Sequence, residues 1–525
     1  MKFDATAVAV FVFFFVAVTV LGFIAARWRR GDLDLLHEWG LAGRRFGTVI
    51  TWFLLGGDLY TAYTFIAIPA AMFGAGAVSG FFAIPYTVLI YPLVFILMPR
   101  FWTICKQRGY VTASDFVKDR FGSKGLALAI AFTGILATMP YIALQMYGIQ
   151  ISLAAMGIPI TLPILGFQVD IPLLIAFIIL AAYTYTSGLR APAMIALVKD
   201  VMIFIVLFAV IAIIPTHFHG FGPIFDAAHQ KALANPKTFS DIIPANQAIA
   251  YSTLALGSAL ALFLYPHSLT GVLSSSSTKV VKRNAALLPI YSLMLGFLAI
   301  LGYMAIAAKV KPFGGFGNNS AVPALINAVF PSWFAGFTFA ALSIGALVPA
   351  AVMSIAAANL FTRNIYKEYF RPNATDREET QAAKIASFVL KFGALLFIVA
   401  INPAQVVYFQ LLGGIWILQT LPSVFLGLYT RWFNRWALLI GWAAAMIAGT
   451  TMFILAGNKP TMPILGIPIY IAVAVLLLNL LLAVVLTPIF EAVGLGRGQD
   501  STQAADYDEE QAPVEASELG QEALS

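Results

Sequence analysis

The sequence has little charge. Asp, Glu, Lys and Arg make up only 10% of its 525 residues, where ordinary globular domains carry about 25%. A surface facing water needs roughly 25–35% charged residues, so a soluble chain of several domains is excluded. There is one cysteine, Cys105, which excludes an intramolecular disulfide and any cysteine-cluster metal site. The five histidines are scattered, with no zinc-hydrolase spacing. Carboxylates and histidines stand singly in the apolar stretches, so the clustered groups of a membrane enzyme are missing, and no catalytic residue, resident metal or cofactor is expected. A repeated filter motif or rings of charge, the marks of an ion channel, are also missing. The net charge of +7 is a small difference between 31 basic and 24 acidic residues. It is not the clustered patch that nucleic acid needs.

What is abundant is apolar. Sixty per cent of the residues are hydrophobic, and 43 Phe and 41 Gly fit a bundle of helices packed in lipid. Apolar stretches of about 20 residues recur, each long enough to cross a bilayer with its backbone satisfied internally. They predict an all-α polytopic membrane protein with thirteen spans, near 5–26, 47–72, 76–98, 126–157, 171–187, 194–216, 246–271, 284–308, 333–362, 383–401, 406–428, 436–456 and 468–490. The first begins MKFDATAV without a small-residue cleavage site and is read as a helix, not a signal peptide.

The basic residues give these spans a direction. With thirteen spans, 25 of the 31 Lys and Arg fall on one side, counting Lys199 at the edge of the turn at Arg190. The other six are Lys2, Lys231, Lys237, Lys309, Lys311 and Lys459. The positive-inside rule places the 25 in the cytoplasm, the N-terminus outside and the C-terminus inside. On this count no Lys or Arg lies mid-membrane. Residues 1–490 form the transmembrane domain. Residues 491–525 hold nine Asp and Glu and few apolar groups, which predicts a disordered cytoplasmic tail.

Polar residues inside apolar segments are costly and point to a pathway. In the second span Gly56 and Gly57 precede Asp58, and Thr61, Tyr63 and Thr64 follow. The glycines permit a break whose carbonyls and helix ends bind an ion. The plainer alternative has Asp58 capping a helix or facing a basic residue near the membrane edge. In the fourth span Tyr141 and Gln145 are four apart and share a face, as ligand donors or as glue between helices. In the seventh, Pro266 interrupts the ladder beside Tyr265 and His267. Ser343 and Ser354 flank Pro349 in the ninth, and Gln419 follows Gly413 and Gly414 in the eleventh. Interrupted second and seventh spans lie five helices apart, as two inverted repeats of five would place them, over about 47–216 and 246–428.

The passages Gly56–Gly76, Tyr141–Gln145 and Ala356-Ala357-Ala358-Asn359-Leu360-Phe361-Thr362-Arg363-Asn364-Ile365-Tyr366 resemble the sodium:solute symporter family, over about residues 5–490. Within it, WFLLGGDLYTAYTF and IGALVPAAVMSIAAANLFTRNIY are similar to the bacterial monocarboxylate permeases. The resemblance implies an inverted-repeat transporter of the bacterial inner membrane, surrounded by lipid and without an obligate protein partner. It implies symport of a small monocarboxylate such as lactate, pyruvate or acetate, or of alanine, with Na+ or H+. Another amino acid such as proline, or a sugar, is the alternative solute. The family's sodium seat maps its backbone side near Asp58, Leu59 and Ala62. Its paired hydroxyls fall on Val348 and Pro349, with Ser343 and Ser354 offset. That departure leaves Asp58 to compensate for the missing oxygens or to carry a proton. Donors for a carboxylate are Tyr63, Tyr141, Gln145, His267 and Gln419.

Overall fold

The computed structural model describes residues 2–28, 31–159, 162–164, 167–400 and 406–508. These residues form a helical bundle, with two short antiparallel hairpins at Leu162–Ile164/Phe167–Val169 and Thr461–Ile464/Ile467–Tyr470. Among them nine helices are long and apolar enough to cross a membrane. A tenth is made by Ala245–Leu262 and Pro266–Leu273, a pair bent by 48°.

Length and apolarity alone therefore do not reach the thirteen spans expected, although each expected segment coincides with helix. The second span is split into Thr48–Gly57 and Tyr63–Ala75, and Ile171–Ser187 has only 17 residues. Each is shorter than the roughly 20 residues of a straight crossing. Asp376–Ala400 opens with Asp376, Glu378 and Glu379, so its first turns are polar.

At the centre runs Ser332–Phe361. It packs along Lys124–Ala155, Ala5–Ile24, Arg190–His217 and Asp376–Ala400. Its sequence is dominated by Ala, Gly and Ser, and small residues let backbones approach where lipid offers no hydrophobic drive. Thr48–Gly57 packs on Arg190–His217, Thr278–Leu293 and Pro266–Leu273. The two interrupted helices therefore touch at their breaks.

The acidic tail differs from the disordered segment that its composition predicts. Residues 500–508 are seated against the bundle. Asp500 Oδ2 accepts from Arg120 Nη1 at 2.9 Å and lies 2.9 Å from Arg431 Nε. Asp506 pairs with Arg108 at 2.7 Å and, through that hydrogen bond, raises the guanidinium's pKa. The Tyr507 ring lies under the Arg100 guanidinium at 4.5 Å. Composition registers the acid but not the waiting arginines. The rest of the expected tail, 509–525, lies outside the described residues.

Candidate functional site

Just before the first break the helix backbone is closely approached from two sides. A Cβ at Gly56 would sit 2.9 Å from the Tyr291 ring. A Cβ at Gly57 would sit 2.8 Å from Lys199 Nζ and 2.6 Å from Asp200 Oδ2. Glycine is required at both positions by close approach. The chain leaves the helix at Asp58 and re-enters through a π-helical turn, Tyr63–Ala67. Within the break Thr64 Oγ1 donates to the Thr61 carbonyl at 3.1 Å, and Thr61 Oγ1 accepts from the Tyr63 amide at 3.0 Å. Gln145 Oε1 accepts from the Ala62 amide at 3.1 Å, so the fourth span holds the break open. The second interrupted helix leaves its axis after Leu262 and restarts at Pro266. Proline suits a first helical position because its missing N–H would be orphaned there anyway.

The two breaks bring Asp58 and His267 together. Asp58 Oδ2 lies 3.3 Å from His267 Nε2 and accepts from Ser268 Oγ at 3.5 Å. The 3.3 Å contact is not aligned as a hydrogen bond, and both ring nitrogens of His267, Asp58 Oδ1 and Gln145 Nε2 are buried without a partner. Aromatic rings wall this group. Tyr141 lies 5.5 Å from the His267 ring and 5.8 Å from Tyr265, and Tyr63 lies 6.3 Å from Tyr141, all edge-to-face. Buried polar atoms without partners are costly, and here they come from three helices at the breaks. Tyr63 also lines a cavity of ≈ 470 Å³ that reaches Gln247, Asn318 and Lys459. On the opposite side of the breaks, a cavity of only ≈ 20 Å³ lies among Thr112, Pro266, Thr270 and Thr420.

Of the residues singled out in the sequence, Asp58, Tyr63, Tyr141, Gln145 and His267 meet at this point, and Leu59 and Ala62 lie in the break itself. Ser343 is buried on the central helix with its hydroxyl unpartnered. Ser354 is committed elsewhere: it donates to the Ala351 carbonyl and accepts from Ser387, which in turn accepts from Lys391 Nζ at 2.9 Å. The Gln419 amide is bound to the Ile415 and Ala472 carbonyls and to Asn479. Its contacts are with the last helix, not with the Asp58 group.

The expectation that no Lys or Arg lies mid-membrane is corrected. Lys199 is fully buried beside the first break, and Lys391 is buried within Asp376–Ala400. Lys199 Nζ donates to the Gly57 carbonyl, lies 3.4 Å from the Tyr60 carbonyl, and pairs with Asp200 at 3.0 Å. The helix begins at Arg190, so Lys199 lies well inside it and not at its edge. The adjacent Lys199-Asp200 pair followed by an apolar run was the available signal.

A family model for the sodium:solute symporter family matches residues 39–449. The chain is 51% identical over 494 residues to a protein of Rhizobium johnstonii named a monocarboxylate transport permease, covering 93% of this chain and 98% of that one. It is 32% identical over 458 residues to the Bacillus subtilis uncharacterized symporter YodF, covering 86% and 89%. In structure it is similar to a Na+-coupled sialic acid symporter in a substrate-bound, outward-open state, with a TM-score of 0.72 at 16% identity, covering 93% and 99%. That likeness establishes the inverted-repeat transporter fold expected from helix order, and the chain belongs to the sodium:solute symporter family.

Proposed function

We propose that the protein takes up a small monocarboxylate by symport with a cation. The observation that carries this reading is the set of orphaned donors at the breaks. Gln145 Nε2 and the His267 ring are buried without partners, in a space walled by Tyr63, Tyr141 and Tyr265. A carboxylate offers acceptors to such donors, and the aromatic wall suits a short apolar chain. Asp58 Oδ1, also unpartnered, repels an anionic solute unless a cation arrives with it. That requirement makes binding of the two cooperative. The name of the Rhizobium relative supports the same solute class.

On this reading spans two to six and seven to eleven are the repeats, and the solute sits between their first helices. The larger cavity is the outer vestibule, in an inner membrane with the N-terminus outside and the C-terminus cytoplasmic. Gln419 takes no part in solute binding. The test is uptake of labelled lactate, pyruvate, acetate, alanine and proline by proteoliposomes, with sodium and proton gradients imposed separately. The expected result is accumulation of monocarboxylates under one of the two gradients. Accumulation of proline alone, or of no monocarboxylate under either gradient, overturns the proposal.

A further inference from the structure

The first break offers the backbone carbonyls that a transported cation would use, and a side chain of the protein already holds them. Lys199 Nζ donates to the Gly57 carbonyl and lies 3.4 Å from that of Tyr60. Both Lys199 and Asp200 are completely buried. The facing wall is the central helix at Gly345, where an added Cβ would lie 3.7 Å from the Tyr60 carbonyl. That wall supplies no ligand from Val348 or Pro349, the positions where the resemblance places paired hydroxyls. A sodium ion here would lack the paired hydroxyls at those two positions of the wall. It would share two carbonyls with an ammonium, and like charges at such distances exclude each other in a low dielectric.

We propose that the Lys199 ammonium is the resident cation of this seat, so that transport needs no sodium and runs on the proton gradient. The inference rests on the reading of the protein as a cation-coupled symporter and names the cation. The charge balance around the seat agrees with it. Asp200, on the same helix, pairs with Lys199, and Asp58, at the break, feels its field. From Thr278–Leu293 the Tyr291 hydroxyl faces Asp200, and the Tyr60 hydroxyl turns away to donate to the Tyr291 carbonyl at 2.7 Å. Of the other helices packed on Arg190–His217, Ala5–Ile24 and Ser332–Phe361 contain no titratable side chain, whereas Ile171–Ser187 carries Tyr183 and Tyr185 and Leu295–Ala307 carries Tyr303. From Pro266–Leu273, His267 lies 3.3 Å from Asp58. Arg190, lower on the helix of Lys199, is engaged by Glu38. One ammonium thus serves two carboxylates, and with the His267 ring beside Asp58 neutral the group is one positive charge short of neutral when both carboxylates are ionised. A proton meets that deficit without displacing Lys199.

The experiment has a binding arm and a transport arm. Purified wild-type protein is assayed for radiolabelled sodium binding, and for thermal stability in sodium chloride against choline chloride. The expected result is no saturable sodium binding and no sodium-specific rise in melting temperature, since a ligand of the native state would raise it. Lys199→Ala vacates the seat and leaves Asp200 without its partner, so that variant is expected to gain both. In proteoliposomes, wild-type uptake of labelled lactate is expected to persist without sodium and to collapse with a protonophore. Saturable sodium binding by the wild type, or several-fold stimulation of its uptake by sodium, overturns the proposal. If no solute is transported the functional reading fails, and the binding arm still decides this one. If Lys199→Ala does not fold, the wild-type measurements decide alone.

Discussion

On the proposed reading solute and cation meet at Asp58, whose two oxygens have different surroundings. One faces His267 and Ser268 and the other is unpartnered. Asp58→Asn keeps the shape and removes the charge. Charge-assisted hydrogen bonds contribute about 1.5–3 kcal/mol, so gradient-driven uptake is expected to fall by roughly ten- to a hundredfold. Wild-type uptake by that variant would make Asp58 a helix cap only. Gly57→Ala tests the other side of the break. Its new methyl meets Lys199 and Asp200, and overpacking of this kind costs about 1–3 kcal/mol. The expected outcome is a lowered melting temperature together with lost uptake, whereas Gly125→Ala, at a helical glycine with open space around it, leaves uptake intact. Asp58, Tyr141 and His267 were legible in the sequence because polar groups in apolar runs are rare. Lys199 was not, since the start of its helix decides whether it lies at an edge or in the interior. The partners of Gln419 were not legible for a related reason: a polar residue in a span does not announce which neighbour its face meets.

The interrupted helices were legible as elements. Gly-Gly-Asp and Tyr-Pro-His carry their own local physics, loss of helix propensity in one and loss of a backbone donor in the other. The π-helical segments Tyr63–Ala67, Thr362–Phe370 and Pro422–Leu426 were not legible, because a shift in hydrogen-bond register is imposed by packing, not by composition. The docked tail is the same lesson at a surface. Arg120 is nearly buried, and Asp500 answers it while Ser501 donates its amide to the Asp119 carbonyl at 3.0 Å. The segment thereby ties Ala113–Phe121 to Arg431 and to the end of Ala83–Gln107. A chain ending at Arg497 leaves Arg120 short of a partner and is expected to melt at lower temperature than the full chain. A chain ending at Asp508 keeps every contact described here and is expected to melt with it. Equal melting of all three would make the docking energetically idle.

For the whole molecule, the informative quantity is an inequality. The cavity on the Lys459 side of the breaks measures ≈ 470 Å³, and the one on the Thr112 side ≈ 20 Å³. A carrier that alternates around a fixed central site exposes one side at a time, and this conformation is open on the side that the basic-residue bias assigns to the exterior. The single cysteine makes the assignment measurable, because Cys105 is buried and silent to thiol reagents that need access. A cysteine placed at Ala71, which lines the larger cavity, is expected to react in intact cells with a membrane-impermeant maleimide. One placed at Thr420, which lines the smaller cavity, is expected to resist. Saturating solute favours closure over the occupied site, so it should slow labelling at position 71. It should not slow labelling of a cysteine at Leu465, an exposed hairpin tip beside the same opening. Reaction at 420 but not at 71 in intact cells would invert the orientation. Equal reaction at both would mean that the bundle rests in a conformation other than the outward-open one.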